Sequence, residues 1–427
     1  MKLHRGLIGT TLSLPIFFAL KIASGVGLLK IATVYLSVAN LSVFFQFLLF
    51  GALLNMVTVG GIQNGFIRLI ASSDSEVSDQ RAIKAAMVIW MITFFIACIP
   101  VILLRGPVSI LLIDSEVGSW AVIWITLVTF MGGPGIVLCG VLTGKGRAPA
   151  SLLAQGIGLV AGTAACIVFL VKGQPLTAAT SFYTGSLLTL PIAWILHQRT
   201  FAILLIDKSG YRDEIIMLLK YSGAFIFLAV STSLTLFGLR YVYQSIFDAE
   251  ALGYWMVAQR VSDTSMQLLG LFMVQLFIPQ YAAAKTALEK TRIFQKSWLA
   301  VTVILSIFLA LFAIAPELIV HVFLSEKYLP AIYLIMIYML GDIFRGTVSL
   351  AMHTAFADGR LIRYMGIEFS TTMLFAIIMF SLIAWQNTRL APILSYAGAY
   401  GTSFLIVVLL FAVTRLKPRA GAGSTAQ

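Results

Sequence analysis

Residues 258–270 read AQRVSDTSMQLLG, and Arg260 and Asp263 are the only charged residues in a stretch of about 30. The whole chain of 427 residues is 60% hydrophobic and only 11% charged, with a mean hydropathy of +0.98. Ordinary globular chains carry roughly 25% charged residues, so a water-soluble protein of this length would lack the charges to cover its surface. The sequence therefore predicts an integral membrane protein in which this stretch lies inside the bilayer.

Long apolar segments recur along the entire chain. A helix needs about 20 mostly apolar residues to cross a bilayer, and these segments are too long, and too poor in alternation, to be strands. They predict an all-α membrane fold of about twelve transmembrane helices. The segments lie near 7–33, 42–70, 83–104, 118–142, 149–171, 177–197, 215–244, 252–282, 297–322, 329–356, 364–385 and 391–414.

The distribution of basic residues predicts the orientation. Lysine and arginine are enriched in short cytoplasmic loops. With twelve alternating helices and a cytoplasmic N-terminus, 20 of the 29 Lys and Arg residues fall on the cytoplasmic face and five on the opposite face. This bias predicts a multi-pass protein with both termini in the cytoplasm, and it accounts for the net charge of +12 without nucleic-acid binding.

A polar linker at 197–214 divides the predicted helices six and six. We therefore predict an N-terminal six-helix lobe at 1–205, a C-terminal six-helix lobe at 206–418 and a disordered tail at 419–427. Internal symmetry between the lobes rests on the helix count alone, because no sequence repeat is evident.

The sequence lacks the motifs of familiar enzymes. GVLTGKGR (140–147) has the wrong glycine spacing for a phosphate-binding loop and no Ser or Thr after its lysine. The four histidines form no metal-binding pair, and Cys98, Cys139 and Cys166 lie in apolar stretches without metal-ligand spacing. We predict a carrier rather than an enzyme, with no catalytic residue, no metal and no cofactor.

Charged residues within the predicted helices are the candidate functional residues. An ionised side chain at the bilayer centre costs at least about 2.5–3.5 kcal/mol, and such residues usually face a bundle interior or a water-filled cavity. Five cations outnumber three acids, and a cavity with surplus positive charge attracts anions. The cations are Lys21, Lys30, Arg240, Arg260 and Arg345, and the acids are Asp263, Asp342 and Glu368.

Two interpretations of these charges remain open. Arg260 with Asp263, and Asp342 with Arg345, are three residues apart and share a helix face, so each set forms either a neutral pair that joins helices or part of a hydrated lumen. Lys21 has no acid on its own helix and needs water, another helix or an anionic ligand. Lys30 lies nearer the interface, where extension of its side chain toward water explains it equally well.

Uncharged polar residues extend the candidate cavity. Asn64 and Gln259 lie in the second and eighth predicted helices, each beside further amides or hydroxyls. Such groups suit a sugar, which is rich in hydrogen-bonding groups, and they serve equally to join helices within a membrane.

Several short stretches resemble the Wzx flippases of the multidrug/oligosaccharidyl-lipid/polysaccharide exporter superfamily, including those for O-antigen and enterobacterial common antigen. The likeness covers most of the chain. It is carried by LKIASGVGLL (20–29), GGIQNGFIRLIA (60–71), RVSD (260–263), FLSEKY (323–328) and LGD (340–342).

The resemblance implies that the chain moves undecaprenyl-pyrophosphate-linked oligosaccharides to the outer leaflet of the bacterial inner membrane by alternating access. It implies two bundles around a V-shaped central cavity. It assigns the functional positions to Lys21, Arg240, Asp263 and Asp342. Of these, the carboxyl groups Asp263 and Asp342 are our candidates for coupling or gating, because a carboxylate can carry a proton. The partners that it suggests are the lipid-linked substrate, membrane lipids, an O-antigen polymerase and a chain-length regulator.

Two other functions stay open on the sequence. A small-molecule or drug exporter of the same superfamily would share the helix count, and a membrane-embedded polysaccharide polymerase or ligase ranks lower because no large outer loop is predicted. The energy source stays open between an ion gradient and downhill flux, and an arginine beside each candidate carboxylate argues against proton uptake unless the pair separates during transport.

Overall fold

The computed structural model describes residues 2–71, 75–197, 211–273 and 277–416. Nearly all of these residues are helical, and no strand occurs among them. The all-α membrane fold predicted from the sequence is confirmed. The centre of the predicted linker and the predicted tail at 419–427 lie outside the described residues.

Eighteen α-helices follow one another in the described part of the chain. They are α1 Lys2–Tyr35, α2 Val38–Asn55, α3 Gly61–Ala71, α4 Glu76–Thr93, α5 Ile99–Leu103, α6 Arg105–Ile113, α7 Ser119–Gly144, α8 Ala148–Val171, α9 Pro175–Thr184, α10 Thr189–His197, α11 Arg212–Ile246, α12 Ala249–Phe272, α13 Ile278–Ala283, α14 Ala287–Ile314, α15 Pro316–Phe323, α16 Ile332–Ala357, α17 Leu361–Gln386 and α18 Ala391–Leu416.

Eleven stretches of the described chain are long and apolar enough to cross a membrane. They match eleven of the twelve predicted segments. The eighth segment is the exception, because α12 is long enough at 24 residues but carries Arg260, Asp263 and many uncharged polar residues. The polarity of α12 explains why about twelve helices are predicted, whereas eleven described spans are apolar enough to be candidates.

The second and third predicted segments each contain a π-helical turn. The turn Met56–Gly60 joins α2 to α3, and the turn Phe94–Cys98 joins α4 to α5. A π turn adds one residue to a helical turn and is frequent at functional sites. The second segment, predicted at 42–70, is therefore helical along its whole length. Its α-helix is interrupted only by the π turn Met56–Gly60.

The ninth predicted segment, 297–322, has different bounds in the structure. Helix α14 begins ten residues earlier, where Thr286 and Glu289 form a reciprocal capping box. It ends at Ile314, because Pro316 lacks the amide hydrogen that a continuing helix would need. Pro316 instead starts the separate helix α15.

The described chain forms two compact units. The first contains Met1–Met256 and Ile319–Leu329, and the second contains Val257–Leu318 and Pro330–Gln427. Helix α11 packs on α3 and α4 within the first unit. The predicted lobe boundary at 205–206 falls outside the described residues and stays a prediction.

The first unit is held by an apolar core and by close helix packing. Phe66 and Ile70 of α3, Ile83 of α4 and Leu218 of α11 belong to one buried cluster. Cys98, Cys139 and Cys166 are buried free thiols, as their apolar surroundings predict. The second unit has its own buried cluster, in which Leu269 of α12, Leu305 of α14 and Leu350 of α16 take part.

Glycines on α8 allow its backbone to approach the end of α9 and the residues that follow it. A Cβ atom at Gly162 would lie 2.3 Å from the carbonyl oxygen of Phe182, and one at Gly185 would lie 2.3 Å from the carbonyl oxygen of Gly158. Small residues permit such contacts between membrane helices. A side chain at Gly162 or Gly185 would therefore have to push the two backbones apart.

We expect Gly162→Ala to lower the free energy of unfolding by about 1–3 kcal/mol, the usual cost of overpacking. The matched control is Gly238→Ala on α11, where a Cβ atom meets nothing within 4 Å. Thermal unfolding in detergent compares the two variants. Equal melting temperatures would show that the close approach at Gly162 does not limit stability.

Candidate functional site

A carboxylate lies at the centre of a polar cluster in the second unit. Asp342 on α16 is 1% exposed. Its Oδ1 accepts hydrogen bonds from the hydroxyls of Ser262 at 2.6 Å and Tyr396 at 2.7 Å. Its Oδ2 accepts a hydrogen bond from the hydroxyl of Ser265 at 3.1 Å. Three helices, α12, α16 and α18, therefore meet at one buried carboxyl group.

Arg345 reaches the same cluster through a tyrosine. Its Nη1 donates a hydrogen bond to Tyr396 Oη at 3.1 Å, and its guanidinium carbon lies 5.6 Å from the ring centroid of Tyr400. No direct salt bridge joins Arg345 to Asp342, because the Tyr396 hydroxyl stands between them and bonds to both. The sequence left open a direct neutral pair between Asp342 and Arg345. In the structure the Tyr396 hydroxyl bridges these two side chains instead.

Acidic residues surround the Arg345 guanidinium. Besides Asp342, Asp263 on α12 and Glu368 on α17 interact with it electrostatically. Carboxyl groups therefore outnumber the guanidinium among the residues that interact in this cluster.

Helical spacing aligns the members of this cluster. Ser262 and Ser265 are three residues apart, as are Asp342 and Arg345, while Tyr396 and Tyr400 are four apart, so each pair shares one helix face. Gly341 leaves room for the tyrosine, because a Cβ atom there would lie 2.6 Å from the Tyr396 ring.

Sequence reasoning missed Tyr396 and Tyr400. The available signal was the pair of tyrosines one turn apart in an otherwise apolar helix, which places two hydroxyls on one face. Tyr338 was also missed, and its ring stacks on that of Tyr396 with centroids 4.0 Å apart.

Arg240 lies in the interior of the first unit. It is 3% exposed, and its Nη1 donates to Gln46 Oε1 at 3.3 Å. Gln46 Nε2 in turn donates to the carbonyl oxygen of Leu112 at 2.9 Å. The guanidinium also lies 5.8 Å from the Trp255 ring centroid. In this structure Arg240 joins α2, α11 and α12 in the core of the unit.

Lys30 and Lys327 bind helix ends within the first unit. Lys30 Nζ donates to the carbonyl oxygens of His321, at 2.6 Å, and of Leu324. Lys327 Nζ reaches back toward α1 and donates to the carbonyl oxygens of Val34, at 3.3 Å, and of Leu36. A lysine near a helix C-terminus satisfies carbonyls that lack a helical partner. In this structure Lys30 therefore joins helix ends, and its predicted contact with substrate stays a prediction.

Lys21 is the contrasting case. It is exposed on α1, and no hydrogen bond or ion pair to it occurs within the part of the chain that the structure describes. It lies within the candidate membrane span Pro15–Tyr35. An amine in an apolar span that binds no described protein group needs water or an anionic ligand.

The other predicted site residues lie on α12 and α3. Gln259 and Arg260 are half-buried on α12, and the Arg260 carbonyl accepts a hydrogen bond from the Thr264 hydroxyl at 2.9 Å. Asn64 lies on α3, but its side chain is outside what the structure describes. Among the described residues no group of three or more His, Cys, Asp or Glu could hold a metal ion.

Comparison with known proteins identifies the fold. The sequence matches no protein-family profile and no curated protein. A multidrug resistance MATE family transporter of the MOP superfamily, in an inward-facing conformation, matches over 97% of this chain and 100% of that one, with 14% identity and a TM-score of 0.69. The lipid II flippase MurJ matches over 95% of this chain and 87% of that one, with 13% identity and a TM-score of 0.71.

A MATE transporter in an outward-facing conformation also matches, with 15% identity over 95% of this chain and 96% of that one and a TM-score of 0.65. This chain is a multi-pass membrane protein with the fold shared by MATE transporters and MurJ. These neighbours are named as transporters and a flippase. At such low identity the likeness concerns the fold, so the substrate has to be argued from the site.

Proposed function

We propose that this protein is a flippase that moves undecaprenyl-pyrophosphate-linked oligosaccharide repeat units from the cytoplasmic to the periplasmic leaflet by alternating access. The proposal places it in the bacterial inner membrane with both termini in the cytoplasm. Its fold is shared with a neighbour named as a lipid II flippase, which supports lipid-linked cargo for a chain of this architecture.

Lys21 is the observation that carries the proposal. An exposed amine within a membrane span, bonded to no described residue, is costly unless water or an anion reaches it. A pyrophosphate supplies that anion, and a charge-assisted hydrogen bond to it is worth about 1.5–3 kcal/mol. In this proposal Lys21 binds the pyrophosphate, while Arg260, Gln259 and Asn64 stay candidates for contacts with the headgroup.

The acidic cluster supports a separate coupling role. Asp342 is bonded to α12 and α18 at once, so a change in its charge alters contacts among three helices. We propose that Asp342, with Asp263, gates the conformational change. The cargo binds at the cation Lys21, and the gate responds at carboxylates in the second unit.

A small-molecule exporter is the second candidate, favoured by the fold likeness to multidrug resistance MATE transporters. The exposed cation Lys21 does not favour binding of cationic drugs. A polysaccharide polymerase or ligase ranks lower, since the fold neighbours named above are carriers.

Reconstituted vesicles test the proposal directly. Purified protein is incorporated with a polyprenyl-pyrophosphate oligosaccharide carrying a terminal sugar that a membrane-impermeant lectin binds. We expect the lectin to bind about twice as much lipid in protein-containing vesicles as in protein-free vesicles, because translocation brings the inner-leaflet half into reach. Equal lectin binding in both, with ethidium transported instead, would favour the drug exporter.

A further inference from the structure

A short segment between α14 and α16 belongs to the first unit, although the residues on either side of it belong to the second. This segment is Ile319–Leu329, which we call the strap, and its flanking residues are Leu318 and Pro330. Both junctions lie inside helical turns, since α15 continues through the first and a 3-10 turn, Glu326–Ala331, continues through the second. A movement of the second unit is therefore expected to pull on the strap rather than to bend these junctions.

Two lysines tie the strap to α1 in a reciprocal arrangement. Lys30 of α1 donates to two carbonyl oxygens of the strap, and Lys327 of the strap donates to the carbonyl oxygens of Val34 and Leu36. All four acceptors lie in or just after the last turn of α15 or α1, where carbonyl groups lack a helical partner and the helix dipole favours a cation. We call the two lysines with these acceptors the clasp.

Apolar side chains seat the strap beside the clasp. Leu324 is 1% exposed and Tyr328 is fully buried. The Tyr328 ring lies edge-on to that of Tyr254 on α12, with centroids 5.9 Å apart, and the Tyr254 hydroxyl donates to the carbonyl oxygen of Lys327 at 3.5 Å. The strap is thus docked within the first unit by burial as well as by the two lysines.

The bonds of the clasp can be exchanged for bonds to water. Among the described residues neither Lys30 nor Lys327 forms a salt bridge, and both are partly exposed, unlike the buried Arg240. The Tyr328 hydroxyl is buried without a hydrogen-bond partner in the described chain, and release into water would remove that penalty. The docked strap is therefore held by contacts that water can replace.

We infer that the clasp holds the strap on α1 while the protein is closed to the periplasm, and that the strap is released as one body when the protein opens to that side. The inference rests on the alternating access of the proposed function and adds which contacts change during the cycle. In the predicted orientation α1 ends at the periplasmic face, the side on which the substrate leaves. Because Lys30 and Lys327 donate in opposite directions, release of the strap breaks all four hydrogen bonds together.

Labelling of a buried strap residue measures its release. Leu324→Cys places a thiol at a position that is 1% exposed, so in lipid nanodiscs it should react slowly with a membrane-impermeant maleimide. Lys327→Met, added to this variant, removes the bonds to α1 but none to Leu324. We expect labelling about tenfold faster, the effect of one charge-assisted hydrogen bond. Lys172→Met alters an exposed lysine at the end of α8 and should leave the labelling rate unchanged. Lys30→Met is the second variant and should speed labelling by a similar factor.

Cross-linking tests whether transport requires the release. Val34→Cys with Lys327→Cys places two thiols across the clasp, where a short bis-methanethiosulfonate linker can join them. The linked protein should lose translocation in the vesicle assay and regain it when the linker is reduced. Lys290→Cys with Asp358→Cys is the matched control, because these exposed side chains lie 2.7 Å apart within the second unit. The same linker there should leave translocation unchanged.

Two results would overturn the inference. One is a labelling rate of Leu324→Cys that neither Lys327→Met nor Lys30→Met changes, and the other is equal translocation by the linked and the reduced protein. The labelling assay contains no substrate, so it judges the clasp independently of the cargo. If the wild type translocates no lipid-linked oligosaccharide, the proposed function is wrong, and the labelling rates still decide whether the strap is released.

Discussion

Asp342→Asn is expected to lower the translocation rate at least about tenfold, the equivalent of one charge-assisted hydrogen bond, while the protein stays folded. The asparagine has the shape of the aspartate but no charge. The hydroxyls of Ser262, Ser265 and Tyr396 can rotate to suit the new amide, so the free energy of unfolding should change by less than about 2 kcal/mol. What is lost is the charge through which, in the proposed mechanism, the cluster responds to a cation or a proton.

The hydrogen bonds and the charge can be separated experimentally. Tyr396→Phe removes the hydroxyl that joins Arg345 to Asp342 but keeps the carboxylate and the ring stacked on Tyr338. We expect it to slow translocation less than Asp342→Asn does. Vesicle translocation rates and melting temperatures, measured on the same preparations, rank the variants.

Asp358→Asn is the matched control for the loss of a carboxylate. Asp358 forms an exposed salt bridge with Lys290 at 2.7 Å. An exposed pair contributes roughly 0–1 kcal/mol, so both stability and translocation should stay near wild type. Normal translocation by Asp342→Asn would remove Asp342 from the coupling mechanism.

Lys21→Ala is expected to weaken binding of a polyprenyl-pyrophosphate oligosaccharide about 10- to 100-fold, as for the loss of a hydrogen bond between two charged groups. Stability should be unchanged, because the side chain is exposed and binds no described residue. Lys21→Arg keeps the charge and should retain part of the affinity, although guanidinium and ammonium differ in geometry.

Lys172→Ala serves as the control for Lys21→Ala. Lys172 is an exposed lysine at the end of α8 that lies 5.5 Å from the Phe169 ring centroid. Its loss should not affect substrate affinity. Titration of a fluorescent substrate into detergent-solubilised protein measures both variants, and equal affinities for Lys21→Ala and wild type would exclude Lys21 from the binding site.

Hydropathy predicted the membrane helices because each apolar span is a local property of the chain. The bounds of α14 were less accessible, since they depend on the capping box at Thr286 and Glu289 and on Pro316 rather than on apolar content. The fold was predictable because backbone N–H and C=O groups find no water to bond in lipid. A helix satisfies these groups within one segment, so long apolar segments fold as helices.

The site was predictable only in part. Depth identified Lys21, Asp342 and Arg345 as candidates, since a charge inside an apolar span stands out in any sequence. Their partners did not follow, because Tyr396 contacts Asp342 from a helix more than fifty residues away. Likewise, nothing local to Lys30 indicates that it binds the carbonyl oxygens of His321 and Leu324.

Cysteine labelling at position 21 tests most directly whether a ligand in water reaches the cation of α1. The native cysteines Cys98, Cys139 and Cys166 are buried, which keeps the background low. Lys21→Cys should react with a membrane-impermeant thiol reagent, and the lipid-linked substrate should protect it. Ile307→Cys, 54% exposed on an apolar helix, should stay unlabelled. A Lys21→Cys variant as unreactive as Ile307→Cys, with Arg147→Cys labelled normally, would contradict the account.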